Sequence, residues 1–125
     1  MIYLDTHVVI WLYADLAEKF SPHARLLINE NDLLISPIVS LEIQYLYEVN
    51  RITVGSNAII SDLKQRIGLR ICDAPFGEVT AQAIALSWTR DPFDRLIVAQ
   101  AKVRGSPLLT KDEMILARFE DAVWP

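Results

Sequence analysis

The chain has 125 residues, of which 52% are hydrophobic, and a formal net charge of −4. This suits one α/β-sized domain with a sizeable core, and it excludes intrinsic disorder and a strongly basic, general nucleic-acid binder. The single cysteine excludes an internal disulfide, the apolar run from Val8 to Tyr13 is far too short to cross a bilayer, and no secretory leader is visible, so the expected location is cytoplasmic.

Short strand-like runs alternate with longer helical ones, the pattern of an α/β protein with a mostly parallel sheet. Ile2-Tyr3-Leu4 reads as a buried strand ending at Asp5, and residues 6–13 as a helix. Ser21-Pro22 is a cap and first-turn pair that opens a second helix to about Asn29. Leu33-Leu34-Ile35 is the second strand, followed by Ser36-Pro37 and a helix over 38–50. A helix over 56–67, capped by Ser56 or Asn57, ends at Gly68. Residues 69–72 form a third strand with Cys72 as a small core residue; a helix follows over 75–88. Asp91-Pro92 opens a helix through Arg104, ended by Gly105. Residues 107–109 form a fourth strand, 112–119 a last helix and 122–124 a terminal edge strand.

Four carboxylates stand where a carboxylate needs explaining. Asp5 and Asp112 follow strand ends, and ligands collect outside the carboxyl ends of parallel strands. Asp5 is equally placed to cap the helix after it. Thr110-Lys111-Asp112-Glu113 also matches a capping box, with Thr110 as cap and Glu113 reaching back, which leaves Asp112 without a task.

Glu42 and Asp94 lie within helices. At about 100° per residue, Ser40, Gln44, Glu48 and Arg51 share one side, and Glu42 projects opposite them among Ile38, Val39, Tyr45 and Leu46. Unpaired burial of a carboxylate is costly, so Glu42 needs either a buried arginine such as Arg95 or a metal ion. Asp94 faces the side of Ile97, Val98 and Ala101, whereas Asp91 reads as the helix cap. An all-oxygen acidic cluster suits Mg²⁺ or Mn²⁺ and does not suit zinc. In outline it is a site for phosphodiester hydrolysis, where the ion would activate water and neutralise developing charge.

Tyr3-Leu4-Asp5-Thr6-His7, the helical Glu42, Asp91-Pro92-Phe93-Asp94-Arg95 with Ala99-Gln100-Ala101, Leu109-Thr110-Lys111-Asp112-Glu113 and the ending Ala122-Val123-Trp124-Pro125 resemble the successive motifs of PIN-domain ribonucleases. The sequence is similar to the VapC-type toxins among them, over essentially its whole length. The resemblance implies a single PIN domain over 1–125, a three-layer α/β/α sandwich around a short, mainly parallel sheet. It implies a Mg²⁺- or Mn²⁺-dependent endoribonuclease, the toxin of a toxin–antitoxin pair, that leaves 3′-hydroxyl and 5′-phosphate ends. Asp5, Glu42, Asp94 and Asp112 carry over as the metal-binding, catalytic acids. Thr110 and Thr6 carry over as supporting hydroxyls, and Arg95 as a residue that steadies the cluster. A homodimer, a cognate antitoxin, and contact with DNA only through that antitoxin are also implied.

The four acids equal the whole net charge, because removing them from 16 acidic residues leaves 12 against 12 basic ones. RNA would be steered by a cationic rim drawn from Arg51, Lys64, Arg66, Arg70, Arg90 and Lys111, with Lys64 and Arg66 as a clamp over the site. Trp11, Tyr45, Tyr47 and Ile59-Ile60 supply apolar surface for partners or for the core. The competing reading is a phospho-accepting receiver module, with Asp5 at a metal, Asp73 as acceptor and Lys111 as sensor. It leaves Glu42 and Asp94 without a role.

Overall fold

The computed structural model describes residues 1–125. The strands are β1 (Ile2–Leu4), β2 (Leu33–Ile35), β3 (Arg70–Ile71), β4 (Leu108–Leu109) and β5 (Ala122–Val123). The helices are α1 (Thr6–Tyr13), α2 (Pro22–Glu30), α3 (Pro37–Glu48), α4 (Ser56–Ile67), α5 (Phe76–Ile84), α6 (Pro92–Val103) and α7 (Glu113–Arg118), with a short 3-10 turn over Ala17–Lys19.

All five strands are parallel, in the order β3-β2-β1-β4-β5. Parallel neighbours need crossovers, which the helices supply. Tyr3 stands beside Leu34 on one side and Leu108 on the other, so β1 is the central strand. The carboxyl ends of β1 and β4, and with them Asp5 and the Thr110–Asp112 loop, therefore lie side by side. That is the expected parallel-sheet α/β arrangement.

Local chemistry explains most boundaries. Ser21, Ser36 and Asp91 each cap a helix whose first residue is proline, where a missing N–H costs nothing. Gly68 ends α4 in the left-handed region, at φ 70°. β1, β2 and β4 bury their apolar residues completely or nearly so, among them Tyr3, Leu4, Ile35 and Leu109, and Ile97 and Val98 of α6 and Ile115 of α7 are buried against the sheet's core. Tyr3 donates its hydroxyl to Cys72 Sγ at 2.9 Å, so the lone cysteine is a core residue.

Several sequence expectations shift. α3 starts at Pro37 and ends at Glu48; α5 stops at Ile84 and does not reach Trp88. Gly55, not Ser56 or Asn57, occupies the cap position of α4. The capping box at Thr110 does not form: Asp112 caps α7 and accepts from the Ile115 N–H at 3.0 Å. Ile59 and Ile60 are core, while Tyr45 and Tyr47 are exposed.

Two glycines separate backbone strain from crowding, because a Cβ would meet nothing within 4 Å at either Gly68 or Gly77. Gly68→Ala should cost about 1 kcal/mol in urea unfolding, because its φ is positive. Gly77→Ala, inside α5, should gain about 0.5 kcal/mol by restricting the unfolded chain.

Candidate active site

Asp5, Glu42, Asp91, Asp94 and Asp112 line one open cleft of about 230 Å³, together with Thr6, His7 and Leu46. Asp5 is buried at the end of β1 and also caps α1. Its Oδ1 accepts from the Thr6 N–H at 2.8 Å, and its Oδ2 accepts from the Thr110 hydroxyl at 2.6 Å. The Thr110 hydroxyl in turn accepts from the Asp112 N–H at 3.0 Å. One buried hydroxyl thus ties the acid after β1 to the acid after β4.

Glu42 comes from the body of α3 and Asp94 from the first turn of α6, and both are half-buried. Thr6 donates its hydroxyl to Glu42 Oε1 at 2.5 Å. Burial pushes the Glu42 carboxyl up; the Thr6 bond opposes this, and Asp5 and Asp91 add to the rise. Asp94 has no such partner. Burial first, then the charges of Asp91, Asp5, Asp112 and Glu42, push its pKa up to about 7. Asp91 spends its side chain on the cap of α6, accepting from the Phe93 N–H at 2.8 Å.

No arginine or lysine forms an ion pair with Glu42, Asp94 or Asp112 within 4.0 Å. The expected alternative of a buried Glu42–Arg95 pair is absent. Arg95 instead donates from Nε to the Thr89 carbonyl at 2.8 Å, so it steadies the loop before α6 and not the acids themselves. Apart from His7, whose Nε2 accepts from the Lys111 N–H, the donor set is carboxylate and hydroxyl oxygen with no thiol, which fits a hard divalent cation. No three of the acids close on a common point at ligand distance. Like-charge repulsion favours that spread, and Thr6 and Thr110 hold Glu42 and Asp5 within it.

Residues 2–121 match the family model described as PIN domain. The chain belongs to the PIN-domain family. This PIN domain is 29% identical over 120 residues to Ribonuclease VapC22 of Mycobacterium tuberculosis, across 91% of this chain and 88% of that protein. Its fold matches a chain in the structure of VapBC2 from Rickettsia felis bound to a DNA fragment from their promoter, with a TM-score of 0.66 at 22% identity over 100% of both chains. DNA-bound VapBC from Salmonella typhimurium gives a TM-score of 0.61 at 21% identity, over 97% of this chain and 93% of that one. The receiver alternative falls with this. Asp73, its acceptor, is exposed and paired with Arg104 at 2.9 Å, outside the acidic cleft.

Three of the cations expected at the rim of this PIN domain are engaged elsewhere. Arg66 binds Asp62 and reaches the Leu12 and Tyr13 carbonyls, at the opposite end of α1 from Asp5, so this arginine does not clamp the cleft. Arg70 pairs with Asp32, and Arg90 donates to the Ser87 carbonyl. Lys111 precedes Asp112 at the cleft, its N–H bonded to His7.

Ser36 and Gln100 carry weight that sequence reasoning did not assign. Ser36 caps α3 and donates to Gln100 Oε1 at 3.0 Å, locking the helix that carries Glu42 to the helix that carries Asp94. The signal was a glutamine between two buried alanines, a position where an amide needs a partner.

The raised Asp94 pKa makes stability depend on pH. Folded Asp94 holds its proton up to about 7, whereas its ordinary value is 3.8. Its contribution is fully present below that ordinary value and is lost as pH rises through about 7. With a chelator present, thermal unfolding should show Asp94→Asn melting several degrees above the unaltered chain at pH 8, with no gain at pH 3. Equal melting temperatures at pH 8 would count against the desolvated carboxylate.

Proposed function

We propose that this PIN domain is the endoribonuclease toxin of a VapC-type toxin–antitoxin pair, acting in the cytoplasm on RNA. Asp5, Glu42, Asp94 and Asp112 would hold Mg²⁺ or Mn²⁺. The observation that carries the reading is a cleft of carboxylates with no protein cation among them, at the carboxyl ends of β1 and β4. The chemistry a divalent ion supplies when bound is charge neutralisation at the scissile phosphate and activation of water.

The chain's own residues divide the rest of the work. Asp5 and Asp112 are oriented by Thr110 and by backbone N–H groups, which suits a constant ligand position. Glu42 and Asp94 are the acids whose proton affinity is raised by burial and by neighbouring carboxylates, an unfavourable field that a bound divalent cation would relieve. Thr6 orients Glu42.

Two partners belong to the proposal: a second copy of the chain and a cognate antitoxin, through which alone the chain would meet DNA. Exposed Leu41 and Phe76 border one apolar cleft, with Tyr45 and Phe93 adjacent, and support a self-association face. A separate apolar cleft lined by Trp11, Leu16, Phe20 and Ile28 supports a docked antitoxin segment.

Incubated with total RNA and Mn²⁺, the chain should release fragments carrying 5′-phosphate and 3′-hydroxyl ends, mapped by sequencing. Asp94→Asn should slow cleavage by about 100-fold or more, as expected for loss of a group that acts on the transition state. Asp73→Asn should be silent, and the reverse pattern would sink the nuclease reading. In sedimentation, Leu41→Glu combined with Phe76→Glu should yield a monomer where the unaltered chain is a dimer; an unchanged dimer would move the interface elsewhere.

A further inference from the structure

We infer that His7 is a positioning residue that sets where Asp112 stands relative to Asp5. The two acids sit on different strands, and the loop Thr110-Lys111-Asp112 must hold the second against their mutual repulsion. Thr110 anchors one side of that loop. The other side is anchored by His7, whose Nε2 accepts from the Lys111 N–H at 3.2 Å.

An imidazole that accepts at Nε2 and is neutral carries its proton on Nδ1. That atom lies 3.8 Å from Asp5 Oδ2, too far for a hydrogen bond but close enough for electrostatic attraction to the acid. The ring therefore spans the gap between Asp5 and Lys111.

The ring itself is held by aromatic packing. His7 lies tilted against Trp11, with centroids 4.9 Å apart. Trp11 packs edge-on against Trp124, at 5.9 Å, and Phe20, at 6.1 Å. The Lys111 ammonium sits over the Trp124 ring, 5.9 Å from its centroid. Lys111 is thus gripped twice, by its N–H through His7 and by its ammonium through Trp124, and both grips lead back to Trp11 on α1. Its neighbour Asp112 inherits that position.

The side chain of His7 is 35% exposed, so its replacement leaves the core intact. Only the cleavage arm of the test rests on the ribonuclease reading. A Gln carbonyl reaches about as far as Nε2, whereas an Asn carbonyl falls short. His7→Ala and His7→Asn should therefore speed hydrogen exchange at the Lys111 amide and weaken Mn²⁺ binding, measured by isothermal titration, by about 10-fold or more. Both should lower kcat for RNA cleavage while leaving KM within about twofold. His7→Gln should restore all of these. Wild-type Lys111 exchange in His7→Ala would overturn the inference, as would a His7→Gln variant as impaired as His7→Ala. If the unaltered chain cuts no RNA, the ribonuclease reading falls, and Lys111 exchange across the same variants still decides the role of His7.

Discussion

Repulsion among carboxylates that no protein cation offsets is the constraint on which the rest of this molecule depends. Five acids share one cleft, and the arginines that might have neutralised them are turned away. Such a group of like charges in partly desolvated surroundings would disperse unless the frame held it. The frame does so with hydroxyls and backbone N–H groups. Thr110 couples Asp5 to the Asp112 backbone, Thr6 restrains Glu42, and the Ser36–Gln100 bond locks α3 to α6.

The acids fall into two kinds. Asp5, Asp91 and Asp112 each cap a helix, so part of their charge meets the positive end of a helix dipole. Glu42 projects from the middle of α3, and Asp94 sits in the first turn of α6, whose cap Asp91 already fills; neither caps a helix. They are also the two acids whose pKa is raised. Backbone N–H groups thus orient the capping acids, while burial and neighbouring carboxylates raise the proton affinity of the two that cap nothing.

Much of this was legible in the residues. Cap-proline pairs marked the starts of α2, α3 and α6, and the unpartnered placement of Glu42 and Asp94 on apolar helix faces pointed to the site. Other features were decided by tertiary contacts. The polar side of α3 reads as solvent-facing by periodicity, yet Gln44 accepts from the Ser56 N–H across the α3–α4 contact while Leu41 and Tyr45 face solvent. Periodicity says which residues share a face, not what covers it. The apolar pattern after Phe76 continues past Ile84, but the chain turns there, leaving Ile84 exposed and burying Leu86. The capping box at Thr110 is replaced by Asp112 as the cap of α7, while the Thr110 hydroxyl accepts from the Asp112 N–H and donates to Asp5, more than 100 residues away in sequence.

The capping acids have one more consequence. In many parallel-sheet proteins, the free N–H groups at a helix start form a ready cradle for phosphate. Here the starts of α1, α6 and α7 are plugged by the chain's own carboxylates. A bare phosphate or nucleotide that enters finds those donors occupied and meets negative charge. The cleft is therefore self-inhibited toward free anions, and small phosphate metabolites would be poor competitors for it unless they bring a cation with them.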